Sequence, residues 1–163
     1  MCKVSIIAAV AKNNAIGKNN DLLCHIPGDL KRFQNLTSNH AVIMGRRTFE
    51  SLPNGPLPNR KNIVISDIPG DTIEDCFIAE SIEDALNLAD NENEVFIIGG
   101  GSIYKQTIDK IDKMYLTMIH SEIDGDVFFP EIDFKEWKEI YRKDFKANGK
   151  CPYDYSFVNF KRK

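Results

Sequence analysis

The stretch NEVFIIGGGSIYKQTI, residues 93–108, reads as two elements joined by glycine. Val95 to Ile98 is an unbroken apolar run, the pattern of a strand buried on both faces. Gly99, Gly100 and Gly101 follow, and a helical stretch from Ser102 begins at once. A buried strand that feeds directly into a helix is the unit from which parallel sheets with helix-covered faces are built.

The same unit recurs on either side. KVSIIAAV (3–10) reads as a buried first strand and AKNNAIGKNND (11–21) as a polar loop, and a helix starts after Pro27. HAVIMG (40–45) is a strand that runs into the short helix RRTFESL (46–52). KNIVIS (61–66) and DCFIAE (75–80) are further strands. SIEDALNLAD (81–90) is a helix whose Ser81 and Asp84 come close to a capping box. DKMYLTMIHSEI (112–123) is a long strand, and WKEIYRKDF (137–145) with YSFVNFKRK (155–163) reads as a terminal hairpin. The pattern predicts a mainly parallel sheet with helices on both faces and antiparallel strands at one edge. With no repeat, linker or low-complexity segment, one domain over 1–163 is expected.

The chain has 163 residues, enough for a substantial core. Apolar residues make up 42% and charged residues 28%, as in ordinary globular proteins. The net charge is −3 and the one basic run is the terminal Lys161-Arg162-Lys163, so nucleic acid is a poor partner. No stretch approaches the ~20 apolar residues of a membrane span. The opening MCKVSIIAAVAKNN fits a buried strand better than a secretory leader. Cys2, Cys24, Cys76 and Cys151 form no CxxC pair, and His25, His40 and His120 are scattered, so no metal is expected. Free thiols suit a reducing compartment, and a cytoplasmic location is expected.

In open α/β sheets, ligands bind beyond the carboxyl ends of the strands. Gly99 to Gly101 stand at such an end, where glycine lets a backbone approach a phosphate; a tight turn would use it equally. Gly45, Arg46, Arg47 and Thr48 form a second junction. Two arginines at a helix start oppose the macrodipole, which makes sense if an anion sits between them; a solvated basic pair is the alternative. Two such junctions suggest a dinucleotide, and the arginines suggest an additional phosphate, as on NADP. LPNGPLPNRKN (52–62) is a proline-stiffened loop ending in Arg60, either held for a carboxylate or solvated in a turn. In NNDLLCHIPGDLKRFQ (19–34), Asp29 precedes Phe33 and Leu36 by one and two helical turns, so its carboxylate lies inside the apolar stripe. A carboxylate facing a core is costly without a partner. Either it caps its helix or a ligand meets it, and in an apolar pocket its pKa should rise.

Taken in order, IIAAVAKNNAIG, IPGDLKRF, VIMGRRTFES, LPNRKNIVIS, VFIIGGGSIY, YLT and GDVFFP resemble the dihydrofolate reductase family over nearly the whole chain. The resemblance implies an α/β fold with a mostly parallel eight-stranded sheet, four flanking helices and a C-terminal antiparallel hairpin. It implies NADPH-dependent reduction of 7,8-dihydrofolate to tetrahydrofolate. Asp29 would be the carboxylate of the pterin site, supported by Thr117, with Leu22 beside the reacting rings. Ile7, Ala8, Leu30, Phe33, Leu52 and Leu57 would line the folate pocket, and Arg60 would pair with the α-carboxylate of the glutamate tail. Arg46, Arg47, Thr48 and Ser66 would meet NADPH phosphates. Gly45, Gly99, Gly100, Gly101, Ser102, Ile103 and Tyr104 would border the nicotinamide and pyrophosphate, with Ile98 near the reacting rings. KNNAIGKNNDLL (12–23) would be a lid, with Ala9, Ile16 and Gly17 at its base and Asp126 steadying it. The implied partners are dihydrofolate and antifolate inhibitors, with no nucleic acid or membrane, and the implied state is a monomer.

Two positions depart from the family pattern. The family reads Leu or Met, then Pro and Trp, before the helix, where this chain has Leu22, Leu23 and Cys24. Asp67 follows Ser66 where a neutral or basic residue better suits a 2′-phosphate. Two rival readings share the scaffold. A sister reductase acting on a ribosylated pyrimidine gives no reason for Asp29, Thr117 and Arg60 together. A folate- or NADP-binding module without turnover gives little reason to keep Asp29.

Overall fold

The computed structural model describes residues 2–19, 21, 22 and 25–163, with backbone alone at 21 and 22. Leu23, Cys24 and the side chain of Leu22 lie outside the described residues. Along the chain come β1 (Lys3–Ala11), β2 (Ala15–Lys18), β3 (Asp21–Leu22), α1 (Asp29–Thr37), β4 (Ala41–Gly45) and α2 (Arg46–Glu50). They are followed by β5 (Lys61–Ile65), β6 (Phe77–Ala79), α3 (Ile82–Leu88), β7 (Glu94–Gly99) and α4 (Gly101–Thr107). The last elements are β8 (Lys113–Ile119), β9 (Val127–Phe128), β10 (Trp137–Phe145) and β11 (Tyr155–Arg162).

Eight strands make the main sheet, in the order β10-β11-β8-β1-β7-β4-β5-β6. Every neighbouring pair from β8 to β6 is parallel, and β11 alone runs against them. The apolar runs are continuous because both faces are covered. Alternate residues serve opposite clusters: Ile6 against Ile7 in β1, Ile43 against Val42 and Met44 in β4, and Ile97 against Phe96 in β7. Ile82 and Ala85 of α3 and Ile103 of α4 complete one cluster. Phe33 and Leu36 of α1 and Phe49 of α2 pack on the other. Each fully buried side chain of this size contributes about 1.5–3 kcal/mol, so the two faces together hold the sheet. Among the described residues, no helix is long and apolar enough to cross a membrane.

Three local expectations are corrected. Segment 11–21 is not a plain loop: β2 pairs with β3 and with β9 in a second, three-stranded sheet. Its main partner is distant in sequence, and so short a strand carries no period. The strand expected to reach residue 123 stops at Ile119, where the His120 N–H turns aside to the carbonyl of Asp154. The strand expected over 75–80 narrows to Phe77–Ala79, because Asp75 is in the left-handed region (φ 63°). At α3, Ser81 Oγ accepts from the Asp84 N–H at 3.0 Å. The Asp84 carboxylate accepts from the Glu80 N–H, one residue earlier than in a capping box.

Candidate active site

The parallel strands end along one edge of the sheet, and α1 begins there. Gly28 precedes it at φ 79°, a backbone that glycine adopts freely. Asp29 makes no capping bond to its own helix. Its carboxylate turns to the sheet instead, accepting a hydrogen bond from Thr117 Oγ1 at 2.5 Å. Thr117 lies in β8 between Ala9 of β1 and Phe157 of β11 and is 1% exposed. Two residues past Tyr115, it points to the same face as α1.

Burial pushes the Asp29 carboxyl above its ordinary range. The Thr117 hydrogen bond and the charges of Arg32 and His25 pull the other way without reversing it. Arg32, one turn along α1, is committed elsewhere: it donates to Asn159 Oδ1 at 2.5 Å and stacks over the Phe157 ring at 4.7 Å. Among the described residues, Thr117 is the single side-chain hydrogen-bond partner of Asp29, and Oδ2 accepts from none.

Around this carboxylate the expected apolar residues divide. Ile7, Phe33, Leu52, Leu57 and Ile98 share one cluster on its face of the sheet. Ala8 alternates with Ile7 and packs with the opposite cluster. Leu30 is 64% exposed, standing open beside Asp29. Arg60 donates from Nε to the Pro58 carbonyl (2.8 Å) and from a terminal nitrogen to Thr37 Oγ1 (3.1 Å). Its guanidinium lies over the Phe33 ring at 5.8 Å, which fixes its direction. The loop carrying it is pinned by Asn62, whose amide accepts from Leu57 N–H at 3.0 Å and donates to the carbonyls of Leu57 (2.9 Å) and Arg60 (3.0 Å).

The glycine run serves the protein's own packing. The Gly99–Gly100 peptide is cis. A Cβ on Gly99 or Gly100 would sit 3.3 Å from Thr48 Oγ1, and one on Gly101 would meet Val127 Cγ1 at 2.8 Å and the Phe128 carbonyl at 3.2 Å. The end of β7 is thus closed between α2 and β9. Ile103 packs against Gly45, Ser102 accepts from Gln106 at 3.0 Å, and buried Tyr104 donates to the Ile7 carbonyl at 2.8 Å. Burial pushes the Tyr104 hydroxyl well above the usual range, so it stays a donor.

The two arginines part company. The Arg46 guanidinium pairs with Asp71, whose carboxylate also accepts from Ser66 Oγ at 2.7 Å. Arg47 is exposed and forms no ion pair among the described residues. Of the expected lid, 12–23, residues 12–19 are stitched to 121–129. Asn13 donates to the Ile123 carbonyl (3.0 Å) and accepts from its N–H (3.3 Å), Lys18 pairs with Asp124, and Asp126 bridges the Gly17 carbonyl and the Asn19 N–H. Ile16 packs with the core cluster. A cleft of about 440 Å³ lined by Val10, Met118, His120 and Glu131 lies on the other face of the sheet from Asp29, with Lys12 and Asn14 of segment 12–19 at its border. Among the described residues, no three His, Cys, Asp or Glu side chains gather as for a metal. Cys2, Cys76 and Cys151 are free thiols.

The model of the dihydrofolate reductase family matches residues 3–162. The chain belongs to the dihydrofolate reductase family. It is 42% identical to the dihydrofolate reductase of Bacillus subtilis over 160 residues, covering 98% of this chain and 95% of that one. It is 41% identical to dihydrofolate reductase type 3 of Salmonella typhimurium, with 98% of each chain covered. A solved structure of the Enterococcus faecalis dihydrofolate reductase, complexed with NADP(H) and RAB-propyl, superposes with a TM-score of 0.89 at 35% identity, covering 98% and 96% of the two chains.

Some residues of this family member's site are not announced by its sequence. Asn62 shows only as an amide opening a strand of Ile and Val, Asn13 as one of several polar loop residues, and Asp71 as the end of a Pro-Gly turn.

Proposed function

We propose that this chain reduces 7,8-dihydrofolate to 5,6,7,8-tetrahydrofolate with NADPH, and that Asp29 is the carboxylate that holds the pterin. The observation that carries this is the Asp29–Thr117 pair: a carboxylate on an apolar face, with one hydroxyl donor and a second oxygen that accepts from none of the described side chains. Such a group suits a flat heterocycle that offers two N–H donors along one edge, here N3–H and the 2-amino group. Ile7, Phe33, Leu52, Leu57 and Ile98 offer the ring apolar walls, and exposed Leu30 offers another. Arg60, braced by Pro58, Thr37 and Phe33, suits the α-carboxylate of the glutamate tail.

The donor set fits a phosphorylated dinucleotide. Arg47 is open, Thr48 Oγ1 stands beside Gly99 and Gly100, and Gly45 abuts Ile103 across the neighbouring strand end. The complex of the Enterococcus faecalis relative with NADP(H) supports the same cofactor. When bound, NADPH supplies the hydride that C6 of the pterin receives. Asp29 grips the far edge of the ring, away from N5, so a water delivers the proton there. The Asp29 carboxylate, kept partly charged by Thr117 against its burial, accepts from the ring and favours a cationic pterin as hydride arrives. The lid tied by Asn13, Lys18 and Asp126 keeps bulk water from the reacting face. We read residues 1–163 as one domain, acting as a cytoplasmic monomer and open to antifolates at the Asp29 pocket.

Mixing the protein with NADPH and dihydrofolate and following NADPH absorbance tests the reading. It requires steady loss of absorbance that depends on both compounds. A chain that binds both and turns over neither is a binding module, and the proposal fails.

A further inference from the structure

We propose that Asp71 is a built-in occupant of an anion site formed by Arg46 and Ser66, and that it limits the preference for a dinucleotide bearing a 2′-phosphate. This rests on the cofactor reading above. Arg46 follows β4 and Ser66 follows β5, adjacent parallel strands in which Gly45 stands opposite Ile65. Their donors therefore emerge side by side at the carboxyl edge of the sheet. The Pro69–Gly70 turn, closed by the Asp71 N–H on the Ile68 carbonyl at 3.2 Å, brings the chain back over them. The Asp71 side chain is only 10% exposed, and its Oδ2 meets both the Arg46 guanidinium and Ser66 Oγ. The Ile68 N–H donates to Ser66 Oγ at 3.2 Å, which leaves the serine proton for Asp71. A guanidinium and a hydroxyl converging on one buried oxygen are the parts of an anion site, here filled by the chain itself.

A cleft of about 420 Å³, lined by Asp67, Glu80, Ser81, Glu83, Gln106 and Lys110 among others, opens beside the end of β5. A phosphate monoester that reaches Arg46 and Ser66 beside that cleft must displace Asp71, and then faces the released carboxylate and Asp67, with Glu80 and Glu83 on the cleft wall. Carboxylates near a dianion are repulsive, and partial burial weakens the screening. A dinucleotide without the phosphate leaves the Arg46–Asp71 pair undisturbed. The discrimination is thus smaller than an unoccupied arginine and serine would give.

Calorimetric titration of NADP+ and NAD+ tests this, using the parent, Asp71→Asn, Arg46→Ala and the double variant, with thermal melts as folding controls. Asp71→Asn should bind NADP+ about tenfold more tightly or better, a gain of one charge-assisted contact, with NAD+ within about twofold of the parent. Arg46→Ala should weaken NADP+ by less than about threefold in the parent and by about tenfold or more in the Asp71→Asn background, a non-additive cycle. Unchanged or weaker NADP+ binding by a folded Asp71→Asn overturns the proposal. So does a tenfold loss from Arg46→Ala alone, a result readable even where Asp71→Asn does not fold. If the parent binds neither dinucleotide, the cofactor reading falls and this proposal with it; if it binds both and the variants are neutral, this proposal alone falls.

Discussion

Replacing Thr117 by Val removes one hydroxyl from the site and keeps its shape. In the parent that hydroxyl is the single side-chain hydrogen-bond donor to Asp29 among the described residues, at 2.5 Å and 1% exposed. A hydrogen bond to a charged group contributes about 1.5–3 kcal/mol. The loss removes a bond that favours the charged carboxylate and aligns it for the pterin. Dihydrofolate affinity should therefore fall about 10- to 100-fold at neutral pH. The sign of the stability change follows from the raised Asp29 carboxyl. A carboxyl whose folded pKa lies above its unfolded value costs nothing below the unfolded value, and the cost grows as pH rises through the folded value. Removing the one bond that favours the ion pushes the folded value higher still. The melting deficit of the variant should be largest at neutral pH and shrink in acid. Calorimetric dihydrofolate titrations with melts across pH read both effects. A folded variant with parental affinity and a pH-independent melting difference would show that Thr117 does not serve Asp29.

Arg60→Ala should weaken dihydrofolate about 10- to 100-fold, the worth of one charge-assisted contact, while a pterin without the glutamate tail is bound almost as before. Titrating both compounds separates a tail contact from a structural role of Arg60. Gly101→Ala puts a methyl 2.8 Å from Val127 Cγ1 and 3.2 Å from the Phe128 carbonyl, so β9 must shift. It should cost about 1–3 kcal/mol by chemical denaturation, and faster amide exchange in 12–19 should report the loosened lid.

The parallel core was legible because both-face burial writes itself as apolar runs such as VFIIG, and each run stands next to a helix. The inward lean of Asp29 was legible too, since the spacing to Phe33 and Leu36 places it on the face that the structure packs against the sheet. Its partner Thr117 was reached through the family resemblance, because eighty-eight residues separate the two and no local pattern links them. The second sheet was hidden for the same reason: β2 and β9 are too short to have a period and meet only in space. The fate of Arg46 was hidden as well. Sequence marks it as a cation seeking an anion, but only the turn after Pro69 shows that Asp71 is the anion present.

The most direct measurement is turnover of dihydrofolate by Asp29→Asn at neutral pH, with NADPH binding measured beside it by calorimetry. The amide puts an N–H donor where a carboxylate should accept. The account predicts a loss of roughly 100-fold or more in turnover, NADPH affinity close to the parent, and residual activity that rises in acid as free dihydrofolate takes its own proton. Near-parental turnover by the folded variant at neutral pH would contradict it.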